Sequence, residues 1–354
     1  MRWFGSHPIV GLDIGSSSVK VVELDGGPNE WQLRRLGYAA LPPETIVQGS
    51  FMNSPAIASA IREACEQAGV RSREVACSTS GHAVIVKKIT LPSQSSEELE
   101  ETIRWEAEQY IPFDINEVNV DYQILQEGGI DGQMDVLLVA AKRDLIDNYQ
   151  TVLQDAGMSL GVMDVDAFAL GNMFEANYES QPGQATAVVD IGSAFINLNV
   201  MLDGVPTFVR DITSGGNLYT EEVQKTLDLG FEEAERIKVG GVSEETSRDV
   251  VPQEVEDAMR SVSDTLVSEV QRSLDFYRAT TSGASLARVV LCGGAGQVPG
   301  LARMIQERSE IPVEIADPFS RVKVVPSVDP EQVRQLAPSL CVAVGLGMRR
   351  SDDR

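Results

Sequence analysis

Two short stretches carry the residue types that could hold phosphate. Residues 11–24 read GLDIGSSSVKVVEL and residues 188–202 read VVDIGSAFINLNVML, so Asp-Ile-Gly-Ser occurs twice, each time between β-like runs. In each copy an aspartate, Asp13 or Asp190, ends an apolar run, and a glycine, Gly15 or Gly192, follows two residues later. Glycine there allows a tight turn whose bare N–H groups can cradle phosphate oxygens. Ser16, Ser17 and Ser18 in the first copy, and Ser193 in the second, add hydroxyl donors and further amides. Lys20 supplies a cation for terminal phosphates. Asp13 and Asp190 would repel phosphate directly, so carboxylates at these places make sense with Mg²⁺ between, held largely through water. One strand-ending Asp-x-Gly is commonly a plain turn; two copies at one place in a repeated unit are a far stronger signal.

A third element is LCGGAGQVPGL, residues 291–301, where an apolar run enters a glycine-rich turn that opens a helix. Backbone this bare, through Gly293, Gly294, Ala295 and Gly296, lets a flat ring or a sugar-phosphate approach closely. It is not a dinucleotide fingerprint, because Pro299 breaks the spacing and Gly300 comes one place late. No Gly-Lys-Ser/Thr occurs anywhere in the chain.

The elements around these motifs repeat. PIVGLDI, SVKVVEL and WQLRRLGYAAL read as strands, and SPAIASAIREACEQAG reads as a helix with Ile57, Ile61, Ala64 and Ala68 on one face. ATAVVDI, FINLNVML and VPTFVRDI are again three strands, and NLYTEEVQKTLDL is again a helix. Strand–turn–strand–strand–helix, twice, is a duplicated fold. Between the units, HAVIVKKITL, VNVDYQIL and DVLLVAA read as strands and two further stretches as helices, an α+β subdomain of its own. Its first helix carries a capping box, Ser95 with Glu98, and a stripe of Leu99, Ile103, Ala107 and Tyr110. Trp105 falls off that stripe, which leaves it three roles: packing on a neighbouring subdomain, anchoring a partner, or standing at the surface. After the second unit a long helix presents Val255, Ala258, Val262, Leu266, Val270, Leu274 and Tyr277 on one face, and the apolar PSLCVAVGLGMRR reads as a helix near the C-terminus.

The expected organisation is α/β: a first-lobe core over 8–80, 158–180 and 325–348, an inserted subdomain over 81–157, a second-lobe core over 183–215 and 285–324, and a helical second-lobe subdomain over 216–284. With 354 residues the chain is long enough for two lobes with separate cores. Its 53 acidic against 29 basic residues give a net charge of −24, which disfavours nucleic acid and direct docking on an anionic membrane. Four scattered cysteines form no C-x-x-C pair, and the histidines, His7 and His82, are too few for a metal cluster or a triad. No apolar run approaches the roughly 20 residues that span a bilayer, and no signal peptide opens the chain, so a cytoplasmic protein is expected.

The three glycine-rich elements, in this order, resemble the actin-like ATPase superfamily, whose duplicated ribonuclease H-like fold has two lobes. The resemblance spans residues 8 to about 348. It implies a first phosphate motif at Gly15 to Ser18 with Lys20, a second at Asp190, Gly192 and Ser193, and an adenosine motif at Gly293 to Gly296. GGNLYTEEV, which begins with Gly215 and Gly216, and EEAERIKVGG are similar to segments in which a Glu and a Lys flank ribose and adenine, here Glu235 and Lys238. The insert resembles that of the cell-division protein FtsA and its relatives. LPSQSSEELEETIRWEAEQYIPF and EVQRSLDFY look like the PilM family, the actin-like proteins of the type IV pilus assembly platform; the ending RRSDDR, where FtsA has a membrane-targeting helix, favours that branch.

The resemblance implies ATP with Mg²⁺ in the interlobe cleft and a grip on the cytoplasmic N-terminal segment of the membrane protein PilN, in a groove between the insert and the first lobe. The chain would then lie peripheral to the inner membrane through that partner. Trp105, Tyr110 and Phe113 are the insert aromatics considered for the groove. Hydrolysing relatives place a carboxylate or glutamine between the phosphate motifs; VMDVDAFAL offers Asp166, with Asp164 beside it. An aspartate is short for orienting water, so firm binding with slow or absent turnover is expected. A small-molecule kinase and a filament-forming ATPase of the FtsA or MreB kind are the alternatives, and self-association stays open.

Overall fold

Apolar, largely β-branched residues on both sides of Asp13 make the first hairpin. Strand β1 (Val10–Ile14) pairs antiparallel with β2 (Ser18–Asp25), and the register sets Asp13 opposite Lys20. The computed structural model describes residues 9–28, 30–126, 132–239, 253–281, 285–351 and 353; His7 and part of the 216–284 region therefore lie outside the described residues. Strand β3 (Gln32–Ala40) extends the hairpin, and a two-residue pair, β4 (Ile46–Val47) and β5 (Ser50–Phe51), leads into α1 (Ser54–Ala68). Asn53 caps α1 by accepting from the Ala56 N–H, and Gly69, at φ 65°, ends it. Strand β6 (Glu74–Thr79) then runs parallel to β1.

The insert is built from β7 (Val84–Pro92), α2 (Ser96–Glu108), β8 (Val118–Gln126), β9 (Gln133–Lys142) and α3 (Arg143–Asp155). Its three strands lie in the order β7-β9-β8, and Leu99, Ile103 and Ala107 of α2 pack with Ile89, Val136 and Leu138. The Ser95–Glu98 capping box forms in both directions. The chain returns through β10 (Ser159–Val165), parallel to β6, and passes straight into α4 (Asp166–Asn177). Neither β6, β10 nor α4 stands out in the sequence pattern, because α4 is buried almost all round and shows no single apolar stripe.

The second unit repeats the first with β11 (Gln184–Ile191), β12 (Ile196–Leu202), β13 (Val205–Ile212) and α5 (Asn217–Leu227). Here Asp190 stands opposite Asn197, the position that Lys20 holds in the first hairpin. There follow α6 (Phe231–Lys238), α7 (Gln253–Thr280), β14 (Ser285–Cys292), α8 (Leu301–Ser309), β15 (Val313–Ile315), β16 (Lys323–Val324), α9 (Pro330–Leu336) and α10 (Cys341–Gly347). The apolar C-terminal stretch, expected as one helix, is a 3₁₀ turn over Ala337–Leu340 followed by the shorter α10.

Two sheets result, β10-β6-β1-β2-β3-β16 and β13-β12-β11-β14-β15. Helices α4 and α10 fill the space between them, so Leu170, Met173 and Phe174 of α4 share one core with Val188, Met201 and Val290 of the second sheet. The packing is close enough to need glycine: a Cβ on Gly345 of α10 would lie 1.8 Å from the Ala169 carbonyl oxygen of α4, and one on Gly11 of β1 would lie 2.3 Å from the Ala343 oxygen. At the root of the insert the Gly81 N–H donates to the Asp211 carboxylate at 2.5 Å, which ties it to β13. Among the described residues no helix is long and apolar enough to cross a membrane.

Candidate functional site

Both Asp-Ile-Gly-Ser turns open onto one cleft of about 1280 Å³ between the sheets. Each turn closes by the same bond: the Gly15 N–H donates to the Ser18 carbonyl at 3.0 Å, and the Gly192 N–H donates to the Phe195 carbonyl at 2.9 Å. The cleft is lined by Asp13, Gly15, Ser16, Ser17, Ser18 and Lys20 from one side and by Asp190, Gly192 and Ser193 from the other. A Cβ on Gly15 would sit 3.3 Å from the Ser18 oxygen and 3.4 Å from Lys20 Nζ, filling space between the turn and its cation.

Charge in the cleft is crowded. Lys20 Nζ donates to Asp13 Oδ2 at 2.9 Å, so its charge is committed first to Asp13, which the sequence does not reveal. Burial draws the Lys20 ammonium down, but the charge and hydrogen bond of Asp13, with the charge of Asp190, leave it above its ordinary value. Burial pushes Asp190 up to about 7; Lys20 opposes this, and the charges of Asp13 and Asp166 add to it. Burial also pushes Asp166 up to about 6, against hydrogen bonds from Ser78 and Ser80 and with help from Asp13 and Asp211. Among the described residues no three His, Cys, Asp or Glu side chains converge as a metal cage. Two carboxylates beside phosphate-sized turns suit a hard cation that keeps most of its water, so the donor set fits Mg²⁺ carried with a polyphosphate.

The far wall of the cleft holds the other expected residues. Lys238 Nζ pairs with Glu235 Oε2 at 2.6 Å, Thr220 Oγ1 donates to the same carboxylate at 2.5 Å, and Lys238 also reaches Thr220 Oγ1 at 3.2 Å. This small network anchors α6 to α5 beside Gly216, Gly294 and Ala295, which line the cleft with it. Gly215, Gly293 and Gly296 do not line the cleft. A Cβ on Gly215 would lie 2.6 Å from the Gly192 oxygen, and one on Gly293, at φ 86°, would lie 2.3 Å from the Ile191 oxygen. Gly296 backs onto Leu291. Gly215 and Gly293 let backbone press against the second Asp-Ile-Gly-Ser turn from behind.

Asp166, the first residue of α4, lines the cleft, whereas Asp164 turns away. Asp164 Oδ2 accepts from Arg349 Nε at 2.6 Å and its Oδ1 accepts from the Val165 N–H at 2.8 Å. Both partners are largely out of solvent, with side-chain exposures of 3% for Asp164 and 25% for Arg349. Asp164→Ala is therefore expected to lower stability by about 3 kcal/mol, measured by urea unfolding, by stranding the guanidinium. An unchanged midpoint would show that the pair contributes nothing.

Trp105, Tyr110 and Phe113 do not line the cleft. Trp105 stands 76% exposed on α2, while Tyr110 and Phe113 are half-buried against the insert core, with Lys87 Nζ 5.0 Å from the Tyr110 ring centroid and Lys142 Nζ 4.7 Å from that of Phe113. Cleft residues that sequence reading misses are Ser78, Thr79 and Ser80 at the end of β6, Tyr149 of α3, and Asn197. Ser78 Oγ donates to Asp166 Oδ1 at 2.5 Å. The available signal was the hydroxyl run CSTSG just before a glycine.

Comparison with known proteins bears on the family and the fold. A family model described as "Type IV pilus assembly protein PilM" matches residues 11–351. A solved structure described as "PilM-PilN type IV pilus biogenesis complex" superposes with a TM-score of 0.86 at 31% identity, covering 98% of this chain and 100% of that one. The cell division protein FtsA of Enterococcus hirae is 24% identical over 351 residues, which is 87% of this chain and 78% of FtsA. MreB5 of Spiroplasma citri, solved bound to ADP, shares the fold with a TM-score of 0.50 at 13% identity, over 96% of this chain and 94% of that one. The duplicated two-lobed α/β architecture is thus the actin-like fold.

Proposed function

The chain belongs to the family of type IV pilus assembly proteins PilM, and from that premise we propose that it is an ATP-binding scaffold that grips the cytoplasmic N-terminal segment of a PilN-type membrane protein. The observation that carries the nucleotide part is the meeting of two Asp-Ile-Gly-Ser turns in one cleft. Gly15 to Ser18 and Gly192 to Ser193 would take the phosphates. Asp13 and Asp190 would hold Mg²⁺ through water, and Glu235 and Lys238, with Gly294 and Ala295, would border ribose and adenine. The bound nucleotide supplies a polyanion and its cation in one piece. What this chain contributes is a pocket in which one cation, Lys20, faces Asp13, Asp166 and Asp190, so that a further cation relieves the repulsion left among the carboxylates.

The partner part is supported by the PilM-PilN complex, matched over 98% of this chain. A partner with its own membrane anchor would place this chain at the inner-membrane pilus platform, with the insert, which carries Trp105, Tyr110 and Phe113, beside the gripped segment.

Calorimetry with Mg-ATP tests the nucleotide reading directly. Occupancy at a hundredfold excess over Kd should stabilise the protein by ~2.7 kcal/mol, visible as a raised Tm. Chelating the magnesium should remove most of that gain. Because Asp166 and Asp190 titrate near 6 and 7, affinity for Mg-ATP should also rise between about pH 5 and pH 8, as the carboxylates shed protons. No binding heat at any pH would overturn the reading.

A further inference from the structure

Ser78 lies where a nucleophile would be useful, and nothing in the scaffold reading employs it. It sits near the end of β6, which runs between β1 and β10. The β1–β6 register pairs Gly11 with Ala76, so Ser78 comes level with Asp13; on the other side it pairs with Asp164, two residues before Asp166. The side chain lines the cleft yet is only 5% exposed. Its hydroxyl donates to Asp166 Oδ1 at 2.5 Å, the short end of the range for an O–H on a carboxylate. A hydroxyl nucleophile in hydrogen-bond reach of a base, with the base oriented by a further group, is the arrangement that activates serine. Ser80 lines the same cleft beside this pair, and its hydroxyl favours the charged form of Asp166.

We propose that Ser78 is an internal phosphoryl acceptor, receiving the γ-phosphoryl group of the bound nucleoside triphosphate with Asp166 as general base. The inference rests on the nucleotide reading above. Asp166 Oδ1 takes the hydroxyl proton as Ser78 Oγ bonds to the γ-phosphorus. The bond from that phosphorus to the bridging oxygen breaks, and its electron pair leaves on the β-phosphate of the nucleoside diphosphate. Such a transfer depends on alignment and charge more than on covalent help, which is what a rigid strand end supplies. The product places close to two further negative charges beside Asp13, Asp166 and Asp190, so the modified cleft should hold polyphosphate poorly and the reaction should stop after one transfer.

The test incubates the full chain with Mg-ATP labelled in the γ-phosphate, maps the label by peptide mass spectrometry, and measures ATP affinity on the same preparation by calorimetry. Label is expected on Ser78, up to one group per chain, at a rate independent of protein concentration. Ser78→Ala should abolish it, and Asp166→Asn should slow it by at least about 100-fold. In ligand-free protein, carboxyl-carbon NMR of Ser78→Ala should show Asp166 titrating at higher pH than in the wild type, since a hydrogen bond favouring its charged form is lost. ATP bound without label, label on another residue, or label persisting in Ser78→Ala overturns this proposal alone. No ATP binding overturns the nucleotide reading, and this proposal with it.

Discussion

Asp190→Asn should cost about 100-fold in affinity for Mg-ATP and, at the same time, stabilise the ligand-free protein above neutral pH. The loss corresponds to about 2.7 kcal/mol, near the upper end of what a hydrogen bond to a charged group contributes. The gain follows from linkage. In the unfolded chain Asp190 sheds its proton near the ordinary carboxylate value of 3.8, and in the folded protein burial holds the proton to about 7. Below the lower value both states are protonated and nothing changes. Between the two, the folded state alone keeps the proton, so stability falls as pH rises; above about 7 the full penalty is present. Asparagine never ionises, so the substitution should remove a penalty on the order of 2–4 kcal/mol near pH 8 and none near pH 3. Magnesium supplies the sharper control. With the metal chelated, the same substitution removes a negative charge from beside the phosphates and should tighten ATP binding. Urea unfolding at several pH values and calorimetry with and without magnesium read both effects. Weaker binding in both conditions would contradict a cation between Asp190 and the phosphates.

Gly345→Ala should be among the most destabilising of the Gly→Ala changes at the described glycines, at about 4 kcal/mol or more. The added Cβ would meet the Ala169 carbonyl oxygen at 1.8 Å and its carbon at 2.5 Å. Both are backbone of another helix, so no rotamer change relieves the contact and α10 must move off α4. That helix begins at Asp166, and α10 also abuts Gly11, two residues before Asp13. Loss of Mg-ATP binding should therefore accompany the loss of stability. Gly27→Ala is the control: no atom lies within 4 Å of a Cβ there, and its effect should stay within about 0.5 kcal/mol. A urea midpoint for Gly345→Ala equal to that of the control would show that the two helices separate freely.

Where the sequence is legible, the chemistry of single residues is local. Asp13, Gly15, Asp190 and Gly192 sit in short motifs between alternating strands, so their convergence follows from recognising one unit twice. The insert is legible because α2 carries a strict apolar stripe and a capping box. The long helix α7 is legible for the same reason, with Val255 through Tyr277 buried along one face. The helix that delivers Asp166 is not legible: Ala167, Ala169, Leu170, Met173 and Phe174 are all buried, so burial leaves no period to read. Ser78 is hidden for a related reason. Its strand, EVACST, is short and centred on the small residues Ala76, Cys77 and Ser78, and its contact with Asp166 spans 88 positions. Gly215 and Gly293 look like ligand-facing glycines in sequence, yet the constraint on each is a neighbouring backbone. Bare backbone reads the same in sequence whether a phosphate or a peptide lies against it.

Titration of the protein with the cytoplasmic N-terminal segment of a PilN-type membrane protein, by calorimetry with and without Mg-ATP, tests the scaffold reading most directly. Saturable one-to-one binding that tightens when Mg-ATP is present is the expected result, because a nucleotide in the cleft would hold together the lobe that carries the insert and the lobe it faces. Absence of binding in both states would contradict it.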